Sequence, residues 1–258
     1  MVVLLRNLAF LLGLFFSITV QAAPGSKIGF TIEQNGSVVN QAALVQDGRV
    51  FIENSGGDPH TDLIYNARSR ELFIVNHQSK SYYLINDSVI DKAASMIESL
   101  SEVAESQQGV LSDLLGTLGI SGDEEAEKVR LVKTDTMLQA AGANCRLIQQ
   151  YRNEKLETEV CIAPRDALSA LGTDYATMES FYRFGDRLLS QANAILTNMG
   201  IVIPDLHAIE DEDGLPIMAY IWSSATRVLL QSIVDSTVPD DRFRLPQGYV
   251  QTPIPFIG

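Results

Sequence analysis

Few residues of this 258-residue chain are placed to do chemistry, and the first to consider are its two cysteines, Cys145 and Cys161, in "GANCRLIQQYRNEKLETEVCIAP". A redox pair normally has a C-x-x-C at a helix start, where one thiol pKa is lowered, and this spacing does not supply it. The polar run Arg152-Asn153-Glu154 lies between apolar stretches, which reads as two strands joined by a tight turn. With Asn153 at the centre of a three-residue loop, Tyr151 faces Lys155 and, counting outward, Cys145 faces Cys161. A structural disulfide Cys145–Cys161 is therefore expected, and closing a loop of this length is worth about 3 kcal/mol.

Other reactive patterns fail on context. Tyr151 and Lys155 match the Y-x-x-x-K of short-chain dehydrogenases, but they sit in a hairpin and no glycine-rich nucleotide loop accompanies them. Asp211, Asp213 and Gly214 have calcium-loop spacing, yet Ile209 holds the first ligand position and Tyr220 the twelfth, where carboxylates are needed. Asp58, His60 and Asp62 alternate in a loop and supply only three ligands, while His77 and His207 lack partners at zinc spacing. The chain has no G-x-S-x-G elbow and no S-x-x-K. No catalytic residue, metal or cofactor is assigned, and an enzyme is not expected.

The elements that position these residues separate by period. From Lys27 to Ile85 come "KIGFTIE", "AALVQ", "RVFIEN", "DLIYN", "ELFIVN" and "SYYLIN", with Asp47-Gly48 a strong hairpin signal. This is an antiparallel meander. Apolar spacing of three and four over Val89, Ala93, Met96, Ile97 and Leu100 predicts an amphipathic helix capped by Asp87 or Ser88, with helical insertion over about 87–120. Strands resume at Val129 and run through the cysteine hairpin. A second helix is predicted over 174–200, from Asp174 to Gly200, with Tyr175, Met178, Phe181, Tyr182, Leu188, Leu189 and Ile195 on one face. Then "LPIMAYIWSS" and "TRVLLQSIVDSTV" form a strand pair. The expected fold is α+β: a curved, mostly antiparallel sheet of about nine to eleven strands closed by helices.

Residues 1–22 carry Arg6, an apolar run from Leu8 to Phe16, and Val20-Gln21-Ala22, the pattern of a secretory signal peptide cut after Ala22. Periplasmic localisation is expected, in an oxidising compartment that favours the disulfide, with residues 23–258 as a single domain. No later apolar run is long enough to span a bilayer as a helix, so an integral membrane protein is not expected. The formal charge of -13 argues against binding nucleic acid and against docking on anionic lipid headgroups.

The run "LIYNARSRELFIVNHQSKSYYLI", the "GANCRLIQQY" and "ETEVCIAP" pair, "DGLPIMAY" and the closing "FRLPQGY" together resemble a bacterial envelope family, domain of unknown function 4412. That family looks like the LolA/LolB-like lipoprotein-carrier superfamily. The resemblance covers most of residues 27–252 and implies a LolA-like half-barrel, an incomplete β-barrel with helices covering its concave face, which is apolar and binds acyl chains. Two departures are the lack of an anchoring cysteine and the long helical insertions. A helix lid over such a face can enclose a ligand cavity, with Phe181, Leu188 and Ile195 as the candidate wall. The expected function is a soluble, non-catalytic carrier for a lipid or other acylated ligand. The alternative is an envelope interaction or sensor module that holds a protein partner without lipid cargo.

Overall fold

The computed structural model describes residues 24–95, 129–152, 154–198 and 213–254, with side chains of 129 and 191–198 excluded. The first meander is β1 (Pro24–Gln34), β2 (Ser37–Gln46), β3 (Arg49–Ile52), β4 (Thr61–Asn66), β5 (Glu71–Asn76) and β6 (Ser81–Ile85). Asp47 and Gly48 turn between β2 and β3 with φ of 49° and 76°, as the Asp-Gly pair requires. Helix α1 follows over 87–95. Its cap is Asn86, one residue earlier than the sequence pattern suggests, because the Asn86 Oδ1 accepts the Val89 backbone N–H at 3.1 Å. Met96 to Leu100 and the rest of the first predicted insertion lie outside the described residues, as do the signal peptide and Gly200.

The second half comprises β7 (Val129–Ala140), β8 (Ala143–Arg152), β9 (Lys155–Ala163), 3-10 turns over Arg165–Asp174, helix α2 (Tyr175–Asn198), β10 (Leu215–Ile221) and β11 (Thr226–Thr237). A further 3-10 turn (Asp240–Phe243) leads to β12 (Val250–Gln251). Among the described residues the sheet has twelve strands in the order β12-β6-β5-β4-β3-β2-β1-β11-β10-β9-β8-β7. It is mixed rather than wholly antiparallel, because β12 pairs in parallel with β6. A flat sheet of this order would be roughly 50 Å wide at about 4.8 Å per spacing. Yet one buried cluster takes side chains from every strand β1 to β11 and from both helices, so the sheet is curved and unclosed.

The cluster sits on the concave face. Along β4 and β5, Tyr65, Leu72 and Ile74 point into it, while Ile64, Phe73 and Val75 belong to a second cluster on the opposite face. That outer face is dry because the C-terminal segment crosses it with Val238 and Phe243 buried and Leu245 and Tyr249 packed alongside. Both faces of the meander are covered, which explains why these strands read as continuous apolar runs. Arg49 fastens the segment by pairing with Asp240 at 2.6 Å and lying 4.8 Å over the Phe243 ring.

Cys145 and Cys161 are bonded, fully buried, and 5.3 Å apart at Cα. Their register differs from the sequence count. Arg152 faces Lys155 and Tyr151 faces Leu156, which shifts the pairing by one residue, and an irregularity at Glu157 shifts it by one more. Cys161 therefore lies opposite Leu147 rather than Cys145, and the disulfide is diagonal. A shift of one would have put the sulfurs on opposite faces, whereas a shift of two restores the shared face. Asn153 itself lies outside the described residues.

Candidate functional site

The site is built where the sheet comes apart. β10 pairs with β11 only from Met218–Leu229 to Ile221–Thr226. Beyond Leu229, β11 runs on to Thr237 with β1 as its only ladder partner among the described residues. Three local features coincide at the split. Pro216 has no N–H to give to a ladder. Ile217 is the extra residue of an irregularity between β10 and β9, where Pro216 faces Ile162 and Met218 faces Cys161. Gln231 is the extra residue on β11, since Gly29 faces Ser232 and Phe30 faces Leu230. Bulges bend a strand and increase its twist, and two at one level turn β10 and β11 away from each other.

A small apolar pocket fills this split. Leu215, Pro216 and Ile217 form one side, Leu230 and Ile233 the other, and Ile28 and Phe30 of β1 the floor. Leu168 and Leu171 of the 3-10 turns, with Met178 and Tyr182 of α2, close it from the helical layer. Its volume is about 20 Å³, room for about one water-sized group. Surrounding apolar side chains push the Tyr182 hydroxyl well above its ordinary pKa, so it stays a neutral hydroxyl with hydrogen-bonding capacity.

Helix α2 reaches the pocket through the stripe that the sequence predicts. Tyr175, Met178, Leu188 and Leu189 are buried, joined by Phe184, which is 1% exposed and absent from the predicted face. Phe181 packs against the Tyr65 ring at 5.3 Å and Tyr182 at 6.1 Å, and Leu188 is 2% exposed in the main cluster. Neither Phe181 nor Leu188 lines the pocket; Met178 and Tyr182 do. Ile195 lies on α2, with its side chain outside the described residues. Asp174, just before α2, is buried and accepts a hydrogen bond from Ser26 Oγ at 2.7 Å. Desolvation outweighs that bond and raises its pKa.

The other patterns resolve into local structure. Asp58 accepts the His60 backbone N–H at 2.9 Å and the Thr61 hydroxyl at 2.7 Å, and these bonds, the Thr61 one first, lower its pKa. Asp62 turns the other way, to His77 Nε2 at 2.7 Å, and His77 Nδ1 meets the Tyr249 hydroxyl at 2.8 Å. His77 thus clamps the C-terminal segment to β4. Among the described residues, no three His, Cys, Asp or Glu side chains gather as a metal site. His207, Ile209 and Asp211 lie outside the described residues. Gly214 has a packing reason, since a Cβ there would lie 2.6 Å from the Ala163 carbonyl oxygen. The Tyr151 hydroxyl donates to Gln149 Oε1 at 3.1 Å, and the Arg130 guanidinium lies 4.5 Å over its ring.

Of the split, the sequence carries one visible signal, Pro216 inside an apolar strand pattern. The bulges at Ile217 and Gln231 have none, because a bulge is a relation between two strands.

No family model and no curated protein matches the chain. Among solved structures it is similar to PNGF-II, at 10% identity and a TM-score of 0.42, over 89% of this chain and 31% of that one. It is also similar to an uncharacterized conserved protein from Thermus thermophilus, at 6% identity and a TM-score of 0.38, over 90% of each chain. A third similarity is to MucB in its complex with MucA(peri), at 9% identity and a TM-score of 0.33, over 88% of this chain and 56% of that one. At scores this low the likenesses carry no functional argument, and the chain's own residues must supply it.

Proposed function

We propose that this chain is a non-catalytic binding module of the periplasm that holds a protein partner and carries no lipid cargo. The observation that carries the reading is sheet backbone left without a ladder partner among the described residues. An acyl-chain carrier needs a cavity of several hundred cubic ångströms, and the pocket at the β10–β11 split, at about 20 Å³, is too small to be one. Backbone left without a ladder partner supports a protein ligand instead. β7 is a twelve-residue strand at one end of the sheet with Leu131 and Met137 exposed, and β11 has a half-strand unpaired toward β10 among the described residues. Such edges are templates for another chain. The buried disulfide fits an oxidising compartment.

Two measurements test this together: native mass spectrometry of protein recovered from the periplasm, and photo-crosslinking in cells from Met137 and Val234. A reproducible adduct of one protein and a polypeptide mass free of lipid are expected. A stoichiometric acyl lipid in the native spectrum, with no protein adduct, would restore the carrier reading.

A further inference from the structure

The occupant of the split can be specified further, on the assumption that the partner-binding reading holds. We infer that the gap between β10 and β11 is a strand-addition site, which takes an extended peptide segment along Leu230–Thr237 and seats one small apolar side chain in the pocket beside it.

The edge itself selects the chemistry. On its β10 side, β11 beyond Leu229 has no ladder partner among the described residues. Only another polypeptide backbone presents donors and acceptors at a matching repeat along a strand. The strand is also exposed where a core strand would be covered: Gln231, Ser232, Val234 and Asp235 are all exposed, Val234 at 50%. Val234 is an apolar side chain awaiting a cross-strand neighbour.

The pocket selects the side chain. Alternate residues of an added strand point to the concave face, where Ile217, Leu230 and Ile233 leave room for about one methyl-sized group in 20 Å³. Alanine fits there, and a longer or branched side chain does not. Tyr182 lines the same pocket, and its hydroxyl can meet a peptide carbonyl there.

Charge narrows the flanks. The chain has a formal charge of -13, which steers cationic segments toward it. Asp235 lies on the unpaired half of β11 and Asp213 just before β10. Lys27, across β1 from Val234, is the opposing cation. The segment specified is thus extended, with a small apolar residue at its centre and lysine or arginine at its ends.

The probe is a randomised nine-residue linear peptide library displayed on phage and selected on the full chain, with enriched sequences then synthesised. Expected are alternating sequences with a central Ala and basic ends, whose binding slows amide hydrogen exchange across residues 230–237. Methylating alternate peptide nitrogens should weaken binding at least tenfold, because it removes the ladder and leaves the side chains. Val234→Arg, at an exposed position, should weaken it severalfold with an unchanged melting temperature, and Met137→Arg on β7 should not. Peptides that bind but protect β7 or another surface overturn the split as the site and leave the partner-binding reading standing. Failure to enrich any peptide overturns the split as a strand-addition site, while the partner-binding reading stands or falls on the crosslinked protein adduct.

Discussion

Leu188→Ala separates a packed helix from the wall of a ligand cavity. Leu188 is 2% exposed, in the same cluster as Ile90 and Ala93 of α1, both fully buried. The substitution removes three buried carbons, worth about 2.4 kcal/mol at about 0.8 kcal/mol each. The void left behind adds to this, because neighbours relax only in part, which brings the expected loss to about 3 to 5 kcal/mol. For a chain of this size that corresponds to a fall in Tm of roughly 6 to 20 °C. Urea unfolding followed by far-UV circular dichroism measures the free energy, and a thermal scan checks it. A fluorescent fatty acid is then titrated into both proteins. No saturable binding is expected to either, and no rescue of the variant. A loss under about 1 kcal/mol, or a fatty acid that raises the Tm of the variant, would show that Leu188 faces ligand space, and the reading of α2 as a packed helix would fail.

Replacing both cysteines, Cys145→Ala with Cys161→Ala, should lower stability by about 3 kcal/mol with the fold retained, since the bridge closes a separation of only 16 residues; an unfolded double variant in circular dichroism would contradict this. Phe243→Ala removes a buried ring and the partner of Arg49, and should cost about 3 to 5 kcal/mol. Its signature is early tryptic cleavage after Arg242 or Arg244, read by mass spectrometry, and a cleavage pattern like that of the unaltered protein would count against the strap. Asp174→Asn keeps an oxygen for Ser26 while removing a charge that burial disfavours. Because the folded pKa is raised, the native state binds more protons than the unfolded chain, so this group's contribution weakens as pH rises from the ordinary value of 3.8 through the folded pKa. The variant should therefore gain on the unaltered protein in Tm as pH rises through that window, and a gap that narrows with pH would reverse the assigned sign.

What local chemistry controls can be read along the chain. Asp47-Gly48 specifies a hairpin because both residues must take positive φ, and they do, at 49° and 76°. The stripe from Tyr175 to Leu189 specifies a helix and its buried face, because side chains three and four apart stack on one side. Two cysteines flanking a polar turn specify their bond. Pairing between strands is settled only in three dimensions. The count through Asn153 puts Cys145 opposite Cys161, but two successive register shifts make the bridge diagonal, and nothing in residues 145–161 announces a slip. The covering of Phe51, Ile64 and Val75 by Val238 and Phe243 joins residues far apart in the chain, held by Arg49, Arg242 and His77, whose partners only the fold brings near. The split has the same origin. Pro216 is visible in the sequence, but an opening in a sheet needs Ile217 and Gln231 to bulge at one level, and that coincidence exists only when β1, β9, β10 and β11 lie side by side.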